Sequence, residues 1–149
     1  MPETQLTPLT VMPSVRSVMT PSPQSVDADE SLLFARALMQ RHDVHHLPVV
    51  SGDTVVGVVS DGDIKRALDP DLGLPPQDEL FVRDVLVPDA YIVAADAGLD
   101  SVLEHMATCH IGSALVTDQG RLAGIFTTTD ACRTFCRYLR DAVSTASQR

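Results

Sequence analysis

The sequence has no tryptophan, two tyrosines, four phenylalanines and a single lysine, Lys65. With aromatics at 4% of residues, a core built on large rings is excluded, and the interior is left to Val, Leu, Ile, Ala and Met in a chain that is 44% hydrophobic. Basic residues are scarce as well. There are 20 acidic side chains against 11 basic ones, for a formal charge of −9. Binding to a polyanion or an anionic bilayer draws on a basic face, so no nucleic-acid partner and no membrane partner is expected. No apolar run approaches the ~20 residues that span a bilayer, and the start, MPETQLTPLTVMP, lacks the basic and apolar stretches of a signal peptide. Cys109, Cys132 and Cys136 are an odd count outside any small secreted scaffold, which fits reduced thiols and a cytoplasmic location.

What the sequence does contain is a duplication. Gly57 recurs as Gly124, Asp63 as Asp130, Val49 as Val116, Met39 as Met106 and Leu32 as Leu99, all at an offset of 67 residues without a gap. Val15-Arg16 and Val82-Arg83, Pro21 and Pro88, Val26 and Val93, and Arg66 and Arg133 share that offset. A repeated unit fixes architecture before any local pattern is read.

In the first copy, an extended piece near Gln24 to Val26 leads to Asp29-Glu30-Ser31, which suits a helix start, and Leu32, Ala35 and Met39 then recur at helical spacing. Leu47 to Val50 and Thr54 to Val59 are β-rich runs joined by the turn Ser51-Gly52-Asp53. Ser60-Asp61-Gly62-Asp63 opens a second helix, which Asp69-Pro70 ends. The second copy follows the same order: Tyr91 to Val93, a helix over 97–109, strands at 114–117 and 122–126, and a final helix from about Ala131 to Leu139. The expected fold is α/β (α+β), two tandem β-α-β-β-α repeats at 14–68 and 81–140. A leader over 1–13, a linker over 69–80 rich in proline and acids, and a frayed tail over 141–149 complete it.

Val18-Met19-Thr20-Pro21, His46-Leu47-Pro48-Val49-Val50, and Gly57-Val58-Val59-Ser60-Asp61-Gly62-Asp63 with its counterpart Gly124-Ile125-Phe126-Thr127-Thr128-Thr129-Asp130 resemble the motifs of the cystathionine beta-synthase (CBS) domain family. The resemblance runs from Ser14 to about Leu139. It implies a stand-alone Bateman module, two repeats packed through their sheets with two clefts and no room in this chain for a catalytic domain. It also implies AMP, ADP, ATP or S-adenosylmethionine as ligand, a regulatory role without catalysis, and a homodimer, for which Phe135, Leu139 and Val143 form an apolar stripe on the last helix.

The ligand motif has a physical rationale. A Ser or Thr at a helix start offers a hydroxyl and outward backbone N–H groups to a phosphate, and a carboxylate three residues later can accept from both hydroxyls of a ribose. That assigns Ser60 and Asp63, and Thr127 and Asp130, as ligand-binding candidates. The same pattern also forms a capping box, so helix capping is the competing role. Around these motifs the expected lining is Thr20, Val26, Val44, His45 and His46 from copy one, with Val93, Ile111, Gly112 and Ser113 from copy two. Taken along the chain, Thr20, His45 and His46 group with Asp63, and Gly112 with Asp130, although the family resemblance implies pockets that borrow from both repeats. Val87 stands where copy one has Thr20, so the two clefts are not expected to be equivalent.

The alternatives are a ligand-free interaction or scaffold module, a metal sensor using His42, His45, His46, Cys109 and His110, and a thiol sensor using Cys132 and Cys136. The histidines and Cys109 lack compact paired zinc spacing, and cysteines four apart on one helical face read first as core packing.

Overall fold

The computed structural model describes residues 8–69, 71 and 80–147. Repeat one contributes β1 (Thr20–Pro21), β2 (Val26–Asp27), α1 (Leu32–His42), β3 (His46–Ser51), β4 (Thr54–Ser60) and α2 (Asp61–Ala67). Repeat two contributes β5 (Ile92–Ala94), α3 (Leu99–Cys109), β6 (Ser113–Asp118), β7 (Arg121–Thr127) and α4 (Thr128–Ser147). The β-α-β-β-α order is present in both copies. Two expectations change: α4 runs past Leu139 and stays helical to Ser147, so the tail does not fray at 141, and most of the linker, like residues 1–7 of the leader, lies outside the described residues.

Local chemistry explains the elements. Ser31 Oγ accepts from the Phe34 amide at 3.1 Å and caps α1, whose Leu32, Ala35 and Met39 stripe is buried. The helices α1 and α3 both stop in the left-handed conformation, at Asp43 and at its counterpart His110. The β3–β4 turn needs positive φ at Gly52, and the β6–β7 turn needs it at Gln119 and Gly120.

In each repeat the sheet is a parallel pair followed by an antiparallel hairpin, β2-β3-β4 and β5-β6-β7, with a bulge at the matching places Val49/Val50 and Val116/Thr117. The lead segments are exchanged. β1 of repeat one pairs antiparallel with β7 of repeat two, Thr20 opposite Ile125 and Pro21 opposite Gly124. Reciprocally, Val87 bridges Val58 of repeat one, with N–H···O distances of 3.2 and 2.8 Å. Upstream, the Val15 and Arg16 amides donate to Ala97 and Ala95 carbonyls, as those of Val82 and Arg83 donate to Glu30 and Ala28.

The packing units therefore differ from the sequence repeats. Val15 is buried in the repeat-two core with Val102, Met106 and Phe126, whereas Leu80 and Val82 are buried in the repeat-one core with Leu32, Leu47 and Val59. Burying a valine fully contributes about 1.5–3 kcal/mol, so each exchanged segment is anchored by its own hydrophobic plug. Val58, Leu115 and Ile125 form a third cluster that joins the two sheets. Gly57 and Gly124 lie where the exchanged segments cross: a Cβ at Gly57 would collide with the Val87 carbonyl oxygen and come within 2.8 Å of Leu86 Cδ1, and one at Gly124 would meet Met19 and the Thr20 carbonyl.

Candidate functional site: two clefts between the repeats

Because of the exchange, each cleft combines the helix-start motif of one repeat with the lead segment and post-helix loop of the other. The first cleft, about 790 Å³, brings Ser60 and Asp63 together with Val87, Asp89, Tyr91, His105 and the loop Cys109 to Ser113. The second, about 520 Å³, brings Thr127, Thr128, Thr129, Asp130 and Arg133 together with Thr20, Ser22, Gln24 and the loop His42 to His46. Both volumes suit a small organic ligand.

Both motifs are formed as capping boxes. In the first cleft Ser60 Oγ accepts from the Asp63 amide at 3.1 Å, and Asp63 Oδ2 accepts from the Ser60 amide at 2.9 Å. The other carboxylate oxygen, Oδ1, is held by the Arg66 guanidinium. In the second cleft Asp130 Oδ2 accepts from the Thr127 amide at 2.9 Å and from its hydroxyl at 3.1 Å. There the remaining oxygen takes the Thr20 hydroxyl at 2.9 Å, from the exchanged strand. Asp130 is only 9% exposed, and no buried polar side-chain atom among the described residues is left unsatisfied. Capping is thus real in both motifs, and it does not exclude a ligand, because a carboxylate has about four acceptor positions.

The imidazole of His46 lines both clefts and packs over Gly112, where a Cβ would come within 3.3 Å of its Nε2. Burial pulls the His46 pKa below its ordinary 6.5 and the neighbouring His45 acts in the same direction, outweighing the opposing pull of Asp61 and Asp63; the ring is therefore neutral at pH 7. Asp61 lies outside both clefts. Burial opposes its ionisation, but the hydrogen bond and charge of His45, the charge of Lys65 and the Gly62 amide prevail and hold its carboxyl below the ordinary 3.8.

Several expectations need correction. Val26 and Val93 do not reach a cleft: at 2% and 9% exposure they are core residues, because the strands' alternation turns them inward. The grouping along the chain is reversed, since Thr20, Val44 and His45 stand with Asp130, and Ile111, Gly112 and Ser113 with Asp63, while His46 serves both sides. Cys132 and Cys136 are exposed on α4 and not packed in a core. His42 and Cys109, which match in the repeat, line different clefts, and among the described residues no three His, Cys, Asp or Glu side chains are grouped to hold a metal ion. Sequence reasoning passed over Gln24, Tyr91, His105, Asp89 and Arg133 as cleft residues; the 67-residue offset from Thr20 and Arg66 was the available signal for Arg133 and the Val87–Tyr91 segment.

A family model described as CBS domain matches residues 15–70 and 82–136, the two repeats in turn. The chain belongs to the CBS domain family. The solved CBS domain pair of protein MJ0100, in complex with 5′-methylthioadenosine and S-adenosyl-L-methionine, is 23% identical with a TM-score of 0.74 and shows the same fold; the match covers 84% of this chain and 97% of that one. The structure of CBSX2 in complex with AMP is 26% identical, with a TM-score of 0.71 over 83% of this chain and 96% of that one. An L-aspartate semialdehyde sulfurtransferase of Methanocaldococcus jannaschii is 25% identical over 123 residues, which are 81% of this CBS chain but 23% of the enzyme. The chain thus spans about a quarter or less of the first curated relatives it matches. Its mixed α/β architecture with two sheets is that of CBS domain pairs.

Proposed function

We propose that this CBS pair is a regulatory module that binds an adenosine-containing ligand of the AMP, ADP or ATP type, with S-adenosylmethionine as the runner-up, and performs no catalysis of its own. The observation that carries the reading is the composite make-up of each cleft. A ligand held by Asp130 of repeat two and by the segment around Thr20 and His45 of repeat one touches both repeats at once, as does one held between Asp63 and the Gly112 loop. Binding there stabilises one arrangement of the repeats by an amount that grows with ligand concentration, which is what a concentration sensor requires. The AMP held by the CBSX2 relative supports the choice of ligand.

In this reading Asp63 and Asp130 accept from ribose hydroxyls. Calorimetry with AMP and its 2′,3′-dideoxy analogue tests it: losing a charge-assisted hydrogen bond costs about 1.5–3 kcal/mol, so the analogue is expected to bind about ten- to hundredfold more weakly. Equal affinities would remove the ribose role from both carboxylates. No binding by any of AMP, ADP, ATP, S-adenosylmethionine or NADH would favour a ligand-free interaction module.

We also propose a homodimer in the cytoplasm. Phe135 is 55% and Val143 67% exposed on α4, and with Leu139 they make an apolar stripe at i, i+4 and i+8 suited to a second copy. Light scattering that finds only monomer at micromolar concentration removes this part. Among the described residues no helix is long and apolar enough to cross a membrane.

A further inference from the structure

We propose that the two clefts take different ligands: a phosphate-bearing nucleotide in the Thr127/Asp130 cleft, and an adenosine compound without phosphate in the Ser60/Asp63 cleft. This deepens the adenosine reading above and rests on it. The deciding contact is the one between the exchanged strand and the motif carboxylate. In the Ser60/Asp63 cleft the exchanged segment supplies Val87, which has no hydroxyl, and the open oxygen of Asp63 is taken by Arg66. In the other cleft the strand supplies Thr20, whose hydroxyl occupies that oxygen of Asp130 at 2.9 Å. Arg133, the counterpart of Arg66 at the 67-residue offset, is therefore released from the carboxylate; it lines the cleft and makes no ion pair among the described residues. A single Thr/Val difference thus decides whether the arginine three residues after the motif aspartate is spent on that aspartate, as Arg66 is, or is available to an anion, as Arg133 is.

Two further hydrogen-bond donors join Arg133 in the second cleft. Beside Arg133 stand the hydroxyls of Thr128 and Thr129, whose counterparts in the first motif are Asp61 and Gly62. The carboxylates balance, since Ser22 lines the second cleft where the first has Asp89 and Asp43 lines the second where the first has His110; the charge difference therefore rests on Arg133, as no arginine or lysine among the described residues lines the first cleft. In exchange the first cleft has an aromatic wall: Tyr91 lines it with His105 stacked on its ring at 4.0 Å, where repeat one has Gln24 and Leu38. Such a wall favours a flat base whatever the rest of the ligand carries.

Calorimetry on the full chain with AMP and with adenosine, on the parent and on Arg133→Gln, Thr20→Val and Arg66→Gln, tests the assignment. Arg133→Gln is expected to weaken AMP by about ten- to hundredfold, the usual worth of a charge-assisted hydrogen bond, and to leave adenosine unchanged. Thr20→Val frees the Asp130 oxygen for Arg133 and should lower the ratio of AMP to adenosine affinity, a selectivity readout that loss of packing alone does not move. Arg66→Gln should leave AMP as in the parent. The inference is overturned by AMP filling two equal sites per chain, by Arg133→Gln weakening both compounds alike, or by the AMP loss appearing in Arg66→Gln instead. If neither compound binds the parent, the adenosine reading itself fails and takes the inference with it, whereas equal binding in both clefts removes the inference alone.

Discussion

Replacing Asp130 with Asn separates the two roles of the carboxylate, helix cap and ligand acceptor. Asp130 accepts three hydrogen bonds, from the Thr127 amide, the Thr127 hydroxyl and the Thr20 hydroxyl, and is almost fully buried. The asparagine carbonyl can keep the Thr127 amide, and its NH2 faces the Thr20 hydroxyl, which can turn to accept; no polar group need be orphaned. What is lost is charge assistance at buried bonds and a favourable charge at the start of α4, together about 1–2 kcal/mol. For a chain of this length that is about 2–8 °C in melting temperature. Asp63→Asn should cost less, about 0–1 kcal/mol, because its partner Arg66 forms an exposed ion pair. Against these modest stability costs, AMP affinity measured by calorimetry well below the transition should fall at least about tenfold in Asp130→Asn and little in Asp63→Asn. An Asp130→Asn protein that melts several degrees lower yet binds AMP like the parent would falsify the ligand role and leave Asp130 as a cap.

Gly57→Ala drives a Cβ into the Val87 carbonyl and threatens both Val58–Val87 backbone hydrogen bonds; a loss of about 2–4 kcal/mol in urea unfolding is expected, and a loss below about 1 kcal/mol would show that the exchanged segment is free to move aside. His46 gives a pH signature. Its folded-state pKa lies below the unfolded 6.5, so the stability it contributes is complete above that pH and is lost progressively as pH falls from 6.5 toward the folded value. The parent's melting temperature should therefore begin to drop below about pH 6.5, and in His46→Gln that part of the drop should vanish; the depressed Asp61 acts separately, only below its ordinary 3.8. A parent and a His46→Gln protein with superimposable melting curves from pH 7.5 to 5.5 would remove His46 as the acid-sensitive group.

The amino-acid sequence by itself determined the elements and their duplication. The Leu32, Ala35, Met39 stripe, the Ser31 cap, the glycine turns at Gly52 and Gly120 and the Ser60 and Thr127 boxes are all written within a few residues, because helix periodicity, capping and positive φ are local properties. Which segment lines which cleft was decided only by the tertiary structure. An offset of 67 residues is satisfied equally well whether each lead segment stays with its own repeat or crosses to the other, and the choice rests on contacts such as Thr20 with Ile125 and Val87 with Val58 that join distant parts of the chain. That crossing set Thr20 against Asp130, left Arg66 on Asp63 and brought Arg133 to the cleft wall. It also sent Val26 and Val93 into cores that the apolar pattern could not tell from a ligand wall, since a buried valine looks the same in sequence whether it faces a neighbouring helix or a bound base.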